Sequence, residues 1–196
     1  MTWKIFFIMW ISWAWKWTLI RNLKNLNNDI FHFPLSYKSR TKRETEINWV
    51  DAWFVTQEEF KKSIQDWEFL EYAKVYWLPD YYGTKYKDLI ENGVNKWKIV
   101  IKEIDIEWLL ILKNSKKELD WLYKTIFLTI PLEVQIERIK SRWVYMSEDE
   151  LKERRKTAIK EIEEAKKYCD YIIDTSDKTI DVVLKQALEI INNEII

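Results

Sequence analysis

The chain has 196 residues, room for one compact domain with a real core and no comfortable room for two. Lysine plus arginine and aspartate plus glutamate both number 32, so no overall field holds a nucleic-acid backbone or an anionic membrane, and any bound anion needs a local cluster. The one cysteine, Cys169, excludes an internal disulfide framework, fits a reducing cytoplasmic compartment and reads as a small buried residue, while the one histidine, His32, leaves no material for histidine triads or metal clusters.

In chain order, strand-length apolar runs alternate with helical periodicity, the pattern of an α/β fold with a parallel sheet covered by helices on both faces. The first run, Ile5 to Trp15, is too short to span a bilayer and is interrupted by Lys16 with no small-residue cleavage site, so it reads as a buried strand feeding a turn. Core strands are expected at Ile5 to Met9, near Phe31 to Ser36, at Lys98 to Ile104, Thr125 to Ile130 and Tyr171 to Asp174. Thr56 with Glu59, and Ser147 with Glu150, form capping-box patterns that open helices. Gly93 closes the segment from Thr84 as a helix C-cap would, and Pro131 suits a helix first turn. In the last helix Ile180, Val183, Leu184, Ala187, Leu188 and Ile191 share one stripe, which is core packing.

The anomaly is the pair of 2 glycines and 13 tryptophans. Ordinary usage is about 7% glycine, roughly 14 residues in a chain of this size. The tryptophans also stand where glycine belongs. Asn48-Trp49, Asp66-Trp67, Tyr76-Trp77, Lys96-Trp97 and Arg142-Trp143 all fall at turns between periodic segments, where the backbone asks for positive φ or a missing side chain. Such a swap follows if UGA codons, reassigned to glycine in some bacterial lineages, are translated as tryptophan.

The same exchange reveals a motif. After the first strand comes Trp10-Ile11-Ser12-Trp13-Ala14-Trp15-Lys16-Trp17-Thr18, then an apolar-periodic helix through Leu19, Ile20 and Leu23. With glycine at each tryptophan this is GISGAGKGT, a phosphate loop of the GxxxxGK type whose threonine follows one place after the usual [ST] position, in its required place between strand and helix. Backbone N–H groups and the helix N-terminus cradle the phosphates there, Lys16 reaches the β- and γ-phosphates, and Thr18 ligates Mg²⁺. With indoles at Trp10, Trp13, Trp15 and Trp17 the loop cannot wrap a phosphate.

Further motifs say which nucleotide reaction. Leu35-Ser36-Tyr37-Lys38-Ser39-Arg40-Thr41-Lys42-Arg43, followed by Glu46 to Val55, is similar to the stretch of guanylate kinase in which a serine, two arginines three apart and a G-x-D-Y-x-F-V strand build the acceptor site. Glu68-Phe69-Leu70-Glu71 and Tyr81-Tyr82-Gly83-Thr84 resemble that family's E-F-[LI]-E and Y-Y-G-[TS] elements, and Glu103-Ile104-Asp105-Ile106-Glu107-Trp108 its D-I-D-x-Q-G pattern. The resemblance runs from about Lys4 to Ile191. It implies a three-layer P-loop NTPase fold in a single domain, with a core of 1–34 and 95–196, a GMP-binding lobe of about 35–94 and a lid of about 142–154.

It also implies ATP and GMP as substrates, Mg²⁺ accompanying the ATP, and a monomer or homodimer with no nucleic-acid or membrane partner. Arg40 and Arg43 would grip the acceptor phosphate bidentately, joined by Tyr82, and Thr84 would be among the GMP-binding residues. Ser36 and Glu71 would read the guanine edge, Glu103 and Asp105 would help organise the acceptor and the hydrated metal, and Asp174 would lie by the donor adenine. Arg138, Arg142 and Arg154 would arrive with the lid to neutralise the transferring phosphoryl group. Ala52 stands where the family has a tyrosine on the acceptor phosphate, and Trp53 is the tryptophan that best suits its place. Two other readings stay open: a guanylate-kinase-like binding module without catalysis, and a literal tryptophan platform for single-stranded nucleic acid or a membrane interface.

Overall fold

The computed structural model describes residues 4–11, 14, 16–26, 29–74, 79–115, 119–141 and 147–195. The elements run β1 (Ile5–Trp10), α1 (Lys16–Asn25), β2 (Phe31–His32), β3 (Tyr37–Lys38), β4 (Trp53–Phe54), α2 (Gln57–Gln65), β5 (Phe69–Lys74), β6 (Tyr81–Lys85), α3 (Tyr86–Leu89), a 3-10 turn (Val94–Lys96), β7 (Ile99–Glu103), α4 (Ile106–Ser115), β8 (Tyr123–Thr129), α5 (Leu132–Ser141), α6 (Glu148–Tyr168), β9 (Tyr171–Asp174) and α7 (Ile180–Glu194).

The main sheet has five strands in the order β2-β7-β1-β8-β9, and every pairing in it is parallel. β1 is central, and its Ile5, Phe6, Phe7, Ile8 and Met9 are all buried, which is why the sequence shows an unbroken apolar run rather than alternation. α1 packs with α7, while α4 and α5 pack with α6, giving the helix layers that bury the sheet faces. Among the described residues no helix is long and apolar enough to cross a membrane.

A second, four-stranded sheet in the order β4-β3-β6-β5 is built from the stretch between β2 and β7. β3 and β4 pair in parallel, whereas β3 with β6 and β5 with β6 pair antiparallel, with a bulge between Phe69 and Glu71. Phe60 of α2 is fully buried beneath it and stacks on Phe69 at 4.3 Å between ring centroids. Gly83 of β6 is one of the two glycines of the chain: a Cβ there would stand 2.8 Å from the Glu71 carbonyl oxygen.

Two expectations need correction. Of the strand expected near Phe31 to Ser36 only β2, Phe31–His32, forms, and the next strand, β3, starts beyond it at Tyr37 in the other sheet. Pro34, which cannot donate to a ladder, breaks the run. Gly93 is not a left-handed C-cap of a helix from Thr84. Thr84 lies in β6, the helix is only Tyr86–Leu89, and Gly93 has φ −110° at the start of the 3-10 turn. Its requirement is space, since a Cβ would stand 2.3 Å from the Leu89 carbonyl oxygen.

Both capping boxes form: Thr56 with Glu59 opens α2, and Ser147 with Glu150 opens α6. Pro131 precedes α5, its carbonyl accepting the first helical bond from the Gln135 amide at 3.0 Å. His32 Nε2 donates to the Asp88 carbonyl at 2.8 Å and so ties the main sheet to α3. Cys169 is half-buried rather than fully buried, and burial pushes its thiol up to about 12.

Candidate active site

In an open parallel sheet, ligands sit beyond the carboxyl ends of the strands where the strand order reverses. Here the first-laid strand, β1, is central, with β7 and β2 on one side and β8 and β9 on the other. The carboxyl edge therefore gathers Trp10 from β1, Glu103 and Asp105 from the end of β7, Ser36 from beyond β2 and Asp174 from the end of β9.

Lys16 is the first residue of α1, directly past the turn after β1. Ile11 N–H continues the β1–β8 ladder to the Leu128 carbonyl at 3.1 Å, and Ala14 N–H turns back to the Ile11 carbonyl at 3.1 Å. Ser12, Trp13 and Trp15 lie outside the described residues. The Lys16 ammonium lies 3.6 Å from the centroid of the Trp10 ring and 4.1 Å from that of Trp17, a double cation–π contact. It also faces Glu103 Oε2 at 3.3 Å, an ion pair without hydrogen-bond geometry. The cation that a phosphate would need is thus held by two indoles and a carboxylate.

Thr18 sits half-buried in the same helical turn. Its hydroxyl is a hard oxygen donor. Among the described residues no three His, Cys, Asp or Glu side chains cluster as a metal site. Asp105 is pushed up by desolvation, with Lys16 pulling it back.

Opposite this edge a cleft of about 190 Å³ is lined by Trp17, Ser36, Lys38, Glu46, Lys102 and Glu103 among others. Glu46 of its lining grips Arg40 through two parallel bonds, Nη1 to Oε2 at 2.6 Å and Nη2 to Oε1 at 2.5 Å. Arg40 Nε donates to the Tyr82 hydroxyl at 2.9 Å, and the Arg43 amide donates to the same Glu46 carboxylate at 2.8 Å. The Arg40 pairing, with the Arg43 amide second, holds Glu46 down at about 2. The Glu46 carboxylate therefore holds the Arg40 guanidinium and the Arg43 amide, with the Lys38 ammonium 3.9 Å from it, while Tyr82 is tied in through Arg40.

Deeper in the lobe Glu71 faces Thr84 across the β5–β6 pair. Glu71 is 5% exposed, and neither its carboxylate oxygens nor the Thr84 hydroxyl closes a hydrogen bond. The Thr84 hydroxyl and amide lie toward the carboxylate and favour its charge, but burial dominates and raises Glu71. An uncapped buried acceptor beside an uncapped hydroxyl is a site built to receive donors.

Ala52 is fully buried and offers no hydroxyl. Trp53 stacks on Tyr37 at 5.9 Å, a packed aromatic in place. Asp174 ends β9 with its side chain exposed. Arg154 is exposed on α6, Arg138 lies in α5, and Arg142 lies outside the described residues, as do Trp77 and Trp143. Sequence reasoning missed Glu46 as the clamp on Arg40, and it missed Lys102, a buried lysine in β7. The signal for Lys102 was on the page: a lone cation inside Ile99-Val100-Ile101-Lys102, where a central strand should be apolar.

A family model described as guanylate kinase matches residues 11–194. The chain belongs to the guanylate kinase family. It is 39% identical to a guanylate kinase of Clostridium tetani over 82% of this chain and 73% of that protein. It is 36% identical to a guanylate kinase of Blochmanniella floridana over 90% of this chain and 81% of that protein. In three dimensions it is similar to the crystal structure of guanylate kinase from Anaplasma phagocytophilum, with TM-score 0.69 and 21% identity over 100% of this chain and 88% of that one. That likeness supports the fold, a P-loop α/β sandwich, and family membership rests on the sequence matches.

Proposed function

We infer that this chain transfers the γ-phosphoryl group of ATP to GMP, giving ADP and GDP, and that the active polypeptide carries glycine in its phosphate loop. The observation that carries the reading is the convergence at the carboxyl edge. Lys16, at the N-terminus of α1, pairs with Glu103, which lines a cleft together with Lys38 and Glu46, and Glu46 in turn holds the Arg40 guanidinium and the Arg43 amide.

Phosphoryl transfer is mainly positioning and charge neutralisation. Arg40, Arg43, Tyr82 and Thr84 would hold the acceptor phosphate and base in line, with the fixed Arg40–Tyr82 bond setting the guanidinium plane. The residues 10–18 would wrap the donor phosphates, Lys16 leaving the Glu103 carboxylate for the β- and γ-phosphates. Asp174 would border the donor adenine. Mg²⁺ bound with ATP, held on the protein side by Thr18, would supply neutralisation of the phosphate oxygens. Arg138, Arg142 and Arg154 would meet the γ-phosphoryl group as the segment of about 142–154 closes. Ser36 and Glu71 would read the base, and Glu103 with Asp105 would keep the acceptor aligned. The acceptor phosphate itself is nucleophile, so no separate base is required. We assign the reaction to the cytoplasm, in a monomer or homodimer; neither nucleic acid nor a membrane enters it.

A coupled kinase assay tests this on the chain with glycine at Trp10, Trp13, Trp15 and Trp17. Turnover with ATP and GMP is expected, at least about a hundredfold above the chain carrying indoles there, since backbone donors that position charge are worth that much. No turnover in the glycine chain would leave a binding module instead.

A further inference from the structure

Lys102 is 2% exposed, the fourth residue of a strand whose Ile99, Val100 and Ile101 are all buried. A buried ammonium costs folding free energy unless its donors and charge are matched. Its Nζ donates to the Ser36 hydroxyl oxygen at 2.7 Å and to the Pro34 carbonyl at 3.2 Å, both in the connection from β2 to β3. Glu71, from β5, is the largest of the charges acting on it, followed by Glu103, with Lys38 opposing and Asp88 adding a little. Three elements thus bring an ammonium, a hydroxyl and a carboxylate together, and Ser36 and Lys102 line the acceptor cleft.

The direction of each hydrogen bond follows from donor inventory. An ammonium has donors only, so Lys102 occupies a lone pair of Ser36 Oγ and leaves the Ser36 proton to be donated elsewhere. A carboxylate accepts only, and the Lys102 charge favours that ionised form of Glu71 against the burial that would protonate it. Both Glu71 oxygens are without a partner and ready to accept. With Glu71 ionised, Ser36 offers a donor and Glu71 an acceptor, the polarity that Lys102 favours. Guanine offers O6 as acceptor and N1–H with its 2-amino group as donors. Adenine presents the reverse, an amino donor at position 6 and an acceptor at N1.

We propose that Lys102 is the positioning residue that sets base choice in the acceptor pocket, fixing Ser36 as a donor and Glu71 as an acceptor so that a 6-oxo purine monophosphate is taken and a 6-amino purine is refused. This rests on the reading that the lobe takes GMP. Lys102 touches no substrate in this scheme; it acts through Ser36 and Glu71.

Calorimetric binding of GMP and AMP to the full chain, without ATP, tests it. Lys102→Met, similar in length and apolar, should weaken GMP by about tenfold to a hundredfold, the range for hydrogen bonds to charged groups, while AMP changes little. In a Glu71→Gln background, where no charge remains to support, the same substitution should cost much less. The doubly substituted chain, with both buried charges gone, should unfold at no lower temperature than the parent, which separates loss of recognition from loss of fold. Equal weakening of GMP and AMP, or an equal cost in both backgrounds, would reduce Lys102 to a structural residue and overturn the proposal. If the parent binds GMP selectively and Lys102→Met does so equally well, only this inference falls. If the parent binds neither nucleotide, the GMP reading falls with it.

Discussion

Trp49, Trp67 and Trp97 have φ of 72°, 57° and 60°, and they are the residues of positive φ among those described. They are also 68%, 87% and 69% exposed, so little burial offsets the clash between Cβ and the carbonyl oxygen. That clash costs about 1 to 2 kcal/mol per residue in the left-handed region. Glycine at each should raise stability by about 1 kcal/mol, and the three should add, being separate turns. In a thermal melt each amounts to roughly 2 to 4 °C for a chain of this size. Alanine keeps the Cβ and should gain far less; an equal gain from alanine would mean the indole, not the backbone, is at fault. Trp53 should behave oppositely, because its glycine variant loses the ring stacked on Tyr37. These three turns were legible in the sequence, since each tryptophan follows Asn, Asp or Lys at a break in periodicity. The polarity of the acceptor pocket was not. It depends on a lysine from β7 meeting a serine 66 positions earlier, and no local pattern encodes that meeting.

At the scale of elements, what the sequence specifies locally came through and what depends on pairing did not. β1, β7, β8 and β9 fall where apolar runs predicted them, and β9 matches at both ends. The short strands β3 and β4 have two residues each and hold together only through partners far along the chain, so periodicity had nothing to register. Helix starts are the other legible feature, because a capping box is a four-residue signal complete in itself. In α6 the Ser147 hydroxyl accepts from the Glu150 amide at 3.3 Å, and the Glu150 carboxylate accepts from the Ser147 amide at 2.9 Å. Ser147→Ala should cost about 1 kcal/mol, read as a lower midpoint in urea at unchanged slope. Glu150→Ala should cost part of the same amount, and the pair should cost less than the sum, since the two bonds form one unit. Full additivity would argue that the two caps act separately.

For the whole molecule, carboxylates shifted in opposite directions shape the response to pH. Glu46 is held at about 2 by Arg40 and the Arg43 amide. For Glu194, burial pushes upward, but Lys4, Tyr171 and Lys124 donate to it and hold it at about 2, joining the start of β1 to β8, β9 and the end of α7. An ordinary glutamate titrates at 4.5, so between about 4.5 and 2 the unfolded chain binds these protons first. Stability from both groups is present above 4.5 and lost as pH falls through 2. Glu161 does the reverse: burial, with Asp105 and Glu107 adding repulsion, raises it to about 7, so the folded chain holds its proton longer. Its contribution is present below 4.5 and lost as pH rises to 7, and Asp105 and Glu71, also raised by burial, act in the same sense. The melting temperature should therefore pass through a maximum near pH 5, between the two limbs. Glu161→Gln should flatten the fall above that maximum, and Glu194→Gln should flatten the fall below it. A parent melting temperature that climbs steadily to neutral pH would show that α6 lies further from Asp105 and Glu107 in solution, because only their proximity and the burial it brings keep Glu161 protonated.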